Sequence, residues 1–148
     1  MAVFTGEAFF GTFAGEAVAN SMEKSERDFL LVHLLTQPQL TTIRAALSEP
    51  FNDFPVEYDF IADKVRGIDP DVLYEILYSE VAPVCFTNLV AAVPPVWTGF
   101  DPEALRESIE ERLAAREHSW FRRQFDKVLV CWLEYNYAYI WREIASRL

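Results

Sequence analysis

"VAPVCFTNLVAAVPPVWTGF", Val81 to Phe100, contains no charged side chain. Its length is that of a helix crossing a bilayer. The prolines decide against that reading. Pro83 stands near the start, Pro94-Pro95 near the end, Asn88 is polar, and Gly99 follows Trp97. A proline pair stops a continuous helix, and lipid offers no partner for the backbone groups it frees. The stretch therefore reads as a buried, irregular connector in a water-soluble domain. A helix stops near Pro83, a short apolar helix covers 87–92, and an extended turn from Pro94 to Phe100 packs Trp97 inward.

The flanks are helical. Upstream, "GIDPDVLYEILYSEVA" opens with Asp69 as N-cap and Pro70 as the first helical residue, the arrangement that helix starts favour. Val72, Leu73, Ile76, Leu77 and Val81 form its apolar stripe, with Tyr74 and Tyr78 beside it. Gly67 closes a helix over 56–66. Before that lie a helix over 41–48 and the loop "EPFNDFP". Ser25 caps a still earlier helix, with Phe29, Leu30, Val32, His33 and Leu34 in it and Pro38 marking its end or the next start.

Downstream, "FDPEALRESIEERLAAR" repeats the start signal with Asp101 and Pro102. Ala104, Leu105, Ile109 and Leu113 face the core. A long C-terminal helix follows over 119–148, with Phe121, Phe125, Val128, Leu129, Trp132, Leu133, Asn136, Ile140 and Ile144 along one side. Its middle, "VLVCWLEYNYAYIW", carries only Glu134 as a charge. A helix this apolar all round is either central to a bundle or pressed against another chain. In the first 21 residues, Gly11 and Gly15 weaken the helical pattern of Phe10, Phe13, Ala14, Ala17 and Val18. The expected fold is all-α: a poorly defined arm over 1–21, then a single-domain bundle over 22–148 of about six or seven helices ending in a long one.

The composition supports this. Half of the 148 residues are hydrophobic, with twelve Phe, six Tyr and four Trp against five Gly, too apolar for a disordered chain. The net charge is −10, unevenly spread. Nine acidic residues from Glu49 to Glu80 face only Lys64 and Arg66, whereas the stretch from Glu117 onward is slightly positive. Such a surface repels phosphate backbones, which argues against nucleic-acid binding. It would attract a basic partner, or serve only as a solvated face. The N-terminus lacks the basic start of a signal peptide and carries Glu7 and Glu16, so a cytoplasmic location without membrane attachment is expected.

Three stretches form a recognisable set: "ALSEPFND" at Ala46 to Asp53, "YEILYSEVAPVCFTNL" at Tyr74 to Leu89, and "WTGFD" at Trp97 to Asp101. Their order and spacing resemble a family of small, uncharacterised bacterial helical proteins with A-L-S-x-x-F-x-D, E-V-A-P-V…N-L and W-x-G-F-D motifs. The resemblance covers about half the chain, roughly 43–113, and implies no established chemistry. Pro50 stands where the family pattern has an apolar helix former, so the first of these helices breaks early. The motif residues Glu80, Pro83, Asn88, Trp97, Gly99 and Asp101 read as structural. Glu80 meets turn backbone or an Arg, Pro83 ends a helix, Asn88 bonds turn backbone, Trp97 fills a pocket, Gly99 takes a positive φ and Asp101 caps.

Catalytic constellations are not found in the sequence. It has no Gly-rich phosphate loop and no G-x-S-x-G elbow. His33 and His118 lack Cys or His at metal-ligand spacing. His33 reads as a core or boundary histidine and His118 as an exposed one. Cys85 and Cys131 both sit in apolar sequence and read as buried free thiols. Asp59 and Asp63, one turn apart, could share a cation, but such pairs are also common on exposed helices. No catalytic residue, metal or cofactor is expected.

Two functions fit. The first is an interaction module, concretely an immunity (antitoxin-like) protein that neutralises a toxin with a basic cleft. Its contact residues would be Asp53, Glu57, Tyr58, Asp59, Asp63, Asp71, Tyr74, Glu75 and Tyr78, the tyrosines serving as anchors. The second is a structural or assembly protein whose C-terminal helix forms a homodimer, burying Val128, Trp132, Tyr135, Tyr139 and Trp141. Behind these two stands an enzyme of unrecognised type, a reading that gains weight if a closed pocket holds Glu80, Asn88 and His33 together.

Overall fold

Residues 30–34 are helical, as expected, and Thr36 opens the next helix by a reciprocal cap. Its hydroxyl accepts from the Gln39 backbone at 3.4 Å, while the Gln39 side chain accepts from the Thr36 backbone at 3.0 Å. This capping box, with Pro38 inside the first turn, makes Pro38 a helix start. The computed structural model describes residues 23–24, 26–27, 30–90 and 99–148. The arm over 1–21, the Ser25 cap, the end of the helix over 87–92, Pro94-Pro95 and Trp97 lie outside the described residues.

The architecture is all-α, with no strand among the described residues. Helix α1 is Gln37–Ser48, and it tightens into a 3₁₀ turn, Glu49–Phe51. Pro50 thus narrows the helix end instead of breaking it early. Pro50 and Phe51 are both buried there. Helix α2 is Tyr58–Val65, and Gly67 follows it at φ +86°, a conformation that glycine adopts without strain. Helix α3 is Pro70–Glu75, capped by the Asp69 carboxylate, which accepts from the Asp71 backbone at 2.8 Å.

Helix α3 does not stop at Pro83. It continues into a π-helical turn, Ile76–Val81, and then into α4, Ala82–Cys85. Proline cannot donate a backbone hydrogen bond, and its ring collides with the carbonyl one turn earlier. The widened turn ahead of Pro83 makes room for that ring, and Ala82 N–H donates to the Leu77 carbonyl five residues back. Pro83 therefore lies buried within a continuing helix. A short helix α5, Thr87–Val90, follows.

Helix α6, Pro102–His118, is capped by Asp101, whose carboxylate accepts from the Glu103 and Ala104 backbones at 3.0 and 2.9 Å. Ser119 is extended and starts helix α7, Trp120–Asn136. The expected single C-terminal helix is jointed at Tyr137 (φ −113°, ψ 22°), after which α8 is Ala138–Ala145. At the joint the Tyr137 carbonyl accepts from the Tyr78 hydroxyl across the core at 2.9 Å.

The α3–π–α4 rod is central. It packs against α1, α6 and α7, while α2 lies against both α1 and α8. The expected stripe of Val72, Leu73, Ile76, Leu77 and Val81 is core, at most 2% exposed. Phe51, Ile109, Leu133, Ile140 and Ile144 complete the same cluster. No helix among the described residues is long and apolar enough to cross a membrane.

Candidate functional site

The acidic stretch folds onto α2, α3 and their loops. Asp53, Glu57, Asp59, Asp63, Asp69, Asp71 and Glu75 are all exposed. Several are tethered: Asp59 to Arg147 Nε at 2.9 Å, Asp63 to Arg66, and Asp71 to Lys24 Nζ at 3.2 Å. Asp59 and Asp63 thus hold separate arginines. Among the described residues no three of His, Cys, Asp and Glu come together as a metal site. Phe54 and Phe60, each 48% exposed, stand among these carboxylates. The Lys64 ammonium lies 5.3 Å from the Phe60 ring centre. Both phenylalanines were missed in the sequence, although α2 carries the signal: once Ile61, Ala62 and Val65 are inside, Phe60 falls on the outer side.

The tyrosines expected as anchors are placed differently. Tyr58 is half-buried, with the Arg147 guanidinium 5.5 Å from its ring centre. Its hydroxyl pKa is raised, by burial first and then by Tyr139 and Glu143. Tyr74 is half-buried against Tyr78 and edge-on to Trp141, with ring centres 4.7 and 5.4 Å away. Burial, and then Glu134, pushes its hydroxyl up to about 12. Tyr78 is 1% exposed and its hydroxyl is spent on Tyr137. Tyr78 cannot anchor a partner. It was misplaced because the π-turn rotates it into the core, away from the α-helical face that its spacing suggested.

The motif residues within the described set hold the fold. Glu80 is buried against Arg44, with Nε and Oε2 2.8 Å apart and both residues under a tenth exposed. Arg44 was not singled out in the sequence. Only burial of Glu80 demands such a counter-ion. Asn88 donates from Nδ2 to the Phe51 carbonyl at 2.7 Å, joining α5 to the 3₁₀ turn. Gly99 has φ +76°, and a Cβ there would meet Asn52 Nδ2 at 3.6 Å. The stretches around Phe51, Asn88 and Gly99 therefore converge at one end of α1.

A second surface lies on the α6–α7 hairpin. Asp126 is 5% exposed and takes both Arg112 and Arg116. With Arg122 and Phe125 they line a cleft of about 420 Å³. Burial, and then the neighbouring Arg116, lowers the Arg112 pKa. Along α7, Phe121, Phe125, Val128, Trp132 and Tyr135 are 44–85% exposed, and Tyr139 in α8 is 45% exposed. Trp141, expected beside them, packs on Tyr74 instead. Cys85 is buried and its thiol is pushed up to about 12, whereas Cys131 is exposed, contrary to expectation. It lies on the outward side of α7, away from buried Asp126 and Leu133. His33, expected in the core or at its boundary, is exposed, and so is His118.

The described residues thus present two distinct surfaces: carboxylates interleaved with two exposed phenylalanines, and an exposed aromatic row. No curated protein and no solved structure matches the chain. Residues 38–147 match the family described as a domain of unknown function (DUF7079), which takes in α7 and α8 beyond the stretch covered by the motifs. That match spans most of the chain, and the protein belongs to the DUF7079 family.

Proposed function

We propose that this protein acts by binding a basic protein partner and has no catalytic role of its own. One observation carries the reading: Phe54 and Phe60 stand half-exposed among the exposed carboxylates Asp53, Glu57, Asp59 and Asp63. Carboxylates speed and orient the approach of a basic partner, and desolvated aromatic rings supply the affinity. Tyr58 sits beside them, Tyr74 is half-buried against the core, and Tyr78 lies within it. The concrete form is an immunity protein of the bacterial cytoplasm that fills the basic cleft of a cognate toxin and excludes its substrate. The test is growth rescue against the product of the adjoining reading frame. Rescue should fail when Phe54 and Phe60 are both changed to Ala, and association should slow when Asp53, Glu57, Asp59 and Asp63 become Lys. Full rescue by both variants would remove this reading.

A second reading, self-association through the C-terminal helices, is favoured by a separate observation, the exposed aromatic row on α7.

A further inference from the structure

The exposed row is regularly spaced. Phe121, Phe125, Val128, Trp132, Tyr135 and Tyr139 follow one another at alternating steps of four and three residues. Steps of four and three are the heptad seam along which two helices interlock at a shallow angle. The core stripe of the same helix, Asp126, Leu133 and, past the joint, Ile140, is separate and already covered. Helix α7 thus carries two seams, one used inside the chain and one, Phe121 to Tyr135, left open by the described residues, with Tyr139 following it past the joint.

We propose that the open seam pairs with the same seam of a second copy, antiparallel, about a two-fold axis that crosses the seam midway between Val128 and Trp132. This rests on the self-association reading and adds its partner, orientation and register. Three observations select a second copy. First, the row is symmetric about Val130, with members two, five and nine residues to either side. A self-complementary two-fold interface requires that symmetry. Antiparallel pairing sets Val128 opposite Trp132, Phe125 opposite Tyr135 and Phe121 opposite Tyr139, so the smallest member meets the largest across the axis.

Second, the charges agree. The chain carries −10, yet the positions flanking the seam are Arg122, Gln124, Leu129, Cys131, Asn136 and Ala138, with no carboxylate among them. In this register Arg122 faces Asn136 and Gln124 faces Ala138, so no like charges meet. Most of the carboxylates lie elsewhere, which leaves this face the least repulsive for two acidic molecules. Arg122, Arg123 and Lys127 on the same helix disfavour the basic partner proposed for the acidic flank. Third, the area suffices. At the exposures stated, the row offers on the order of 700 Å² per copy, close to the roughly 800 Å² per partner of a stable complex.

The pairing brings Cys131 of each copy together beside the axis, whereas a parallel pair would hold the two thiols on opposite sides. The full chain at micromolar concentration should sediment at twice 17.1 kDa. Val128→Asp, at a site 69% exposed, should weaken the dimer at least about 30-fold with an unchanged helical circular dichroism spectrum. Mild oxidation should link native dimers through Cys131, and Cys131→Ser should abolish the link. A monomer at 100 µM overturns the proposal, including the case in which residues 1–22 of the same chain cover the row. A dimer indifferent to Val128→Asp places the interface elsewhere and overturns it too. A dimer that Val128→Asp breaks but oxidation does not link overturns the antiparallel register and leaves the self-association reading standing. Loss of growth rescue in the Phe54 and Phe60 variant is read independently of all three.

Discussion

Two groups of aromatic residues in this chain meet opposite fates. Tyr74 and Tyr78 sit one turn apart on the central rod, and Phe121, Phe125, Trp132 and Tyr135 sit at equally regular steps on α7. The first pair is drawn inside, where the Tyr78 hydroxyl finds the Tyr137 carbonyl and the Tyr74 ring lies edge-on to Trp141. The second group stands outside at 44–85% exposure. Spacing specifies which residues share a face. It says nothing of whether the chain has another element to lay over that face. The inner group should govern stability and the outer group association, and each expectation below presses on that division.

The largest effect belongs to the ion pair beside the inner group. Glu80→Ala leaves the Arg44 guanidinium buried without its partner and should cost about 3–5 kcal/mol in urea unfolding. A loss below 1 kcal/mol would mean that water reaches Arg44. Tyr78→Phe removes one hydrogen bond while keeping the ring. It should cost about 1 kcal/mol and leave dimerisation unchanged. A loss of dimer in this variant would join the two groups that the comparison separates.

Alkali sharpens the same point. The Tyr74 hydroxyl is pushed up to about 12 from 10, so the unfolded chain gives up this proton first. Stability from this group is complete below pH 10 and falls as the pH climbs through 12. Tyr78, raised further by burial and Tyr74, acts in the same direction. Alkaline unfolding should therefore accompany tyrosinate absorbance, and Tyr74→Phe should shift the transition to higher pH. The smallest stability effect is expected at the outer group. Val128→Asp should change monomer unfolding by less than about 0.5 kcal/mol while breaking association. The thiols divide likewise: a thiol reagent at pH 8 should modify Cys131 and spare Cys85 until the chain unfolds.

The helices were legible because their punctuation is chemical and local. Asp69-Pro70, Asp101-Pro102 and the glycines Gly67 and Gly99 announce themselves in one dimension, and all four positions behave as their residue types demand. The apolar stripe of Val72 to Val81 was equally plain. What was hidden depends on distant partners. Arg44 is buried only because Glu80, thirty-six positions later, needs a counter-ion. The joint at Tyr137 lies where Tyr78, far away in sequence, reaches the backbone. Pro83 looked like a stop because its remedy, the widened turn, leaves no mark in composition. Of the candidate acidic surface, the carboxylates were legible from charge alone. Phe60 was marked only by the phase of α2, and Phe54, in a loop, by nothing, since an exposed phenylalanine and a buried one are spelled the same.

The π-turn over Ile76–Val81 also sets the angular phase of everything behind it. A wide turn delays rotation about the axis, so the two ends of the rod are out of step with a plain 3.6-residue count. Both Leu73 before it and Cys85 after it nonetheless point into the same core. Wound as ordinary helix with no residue removed, the segment would swing the later half by about 100°. Cys85 and Ala82 would then turn away from α1 and α7, and the Pro83 ring would meet a carbonyl again. The widened turn thus serves the proline and the phase of the rod together.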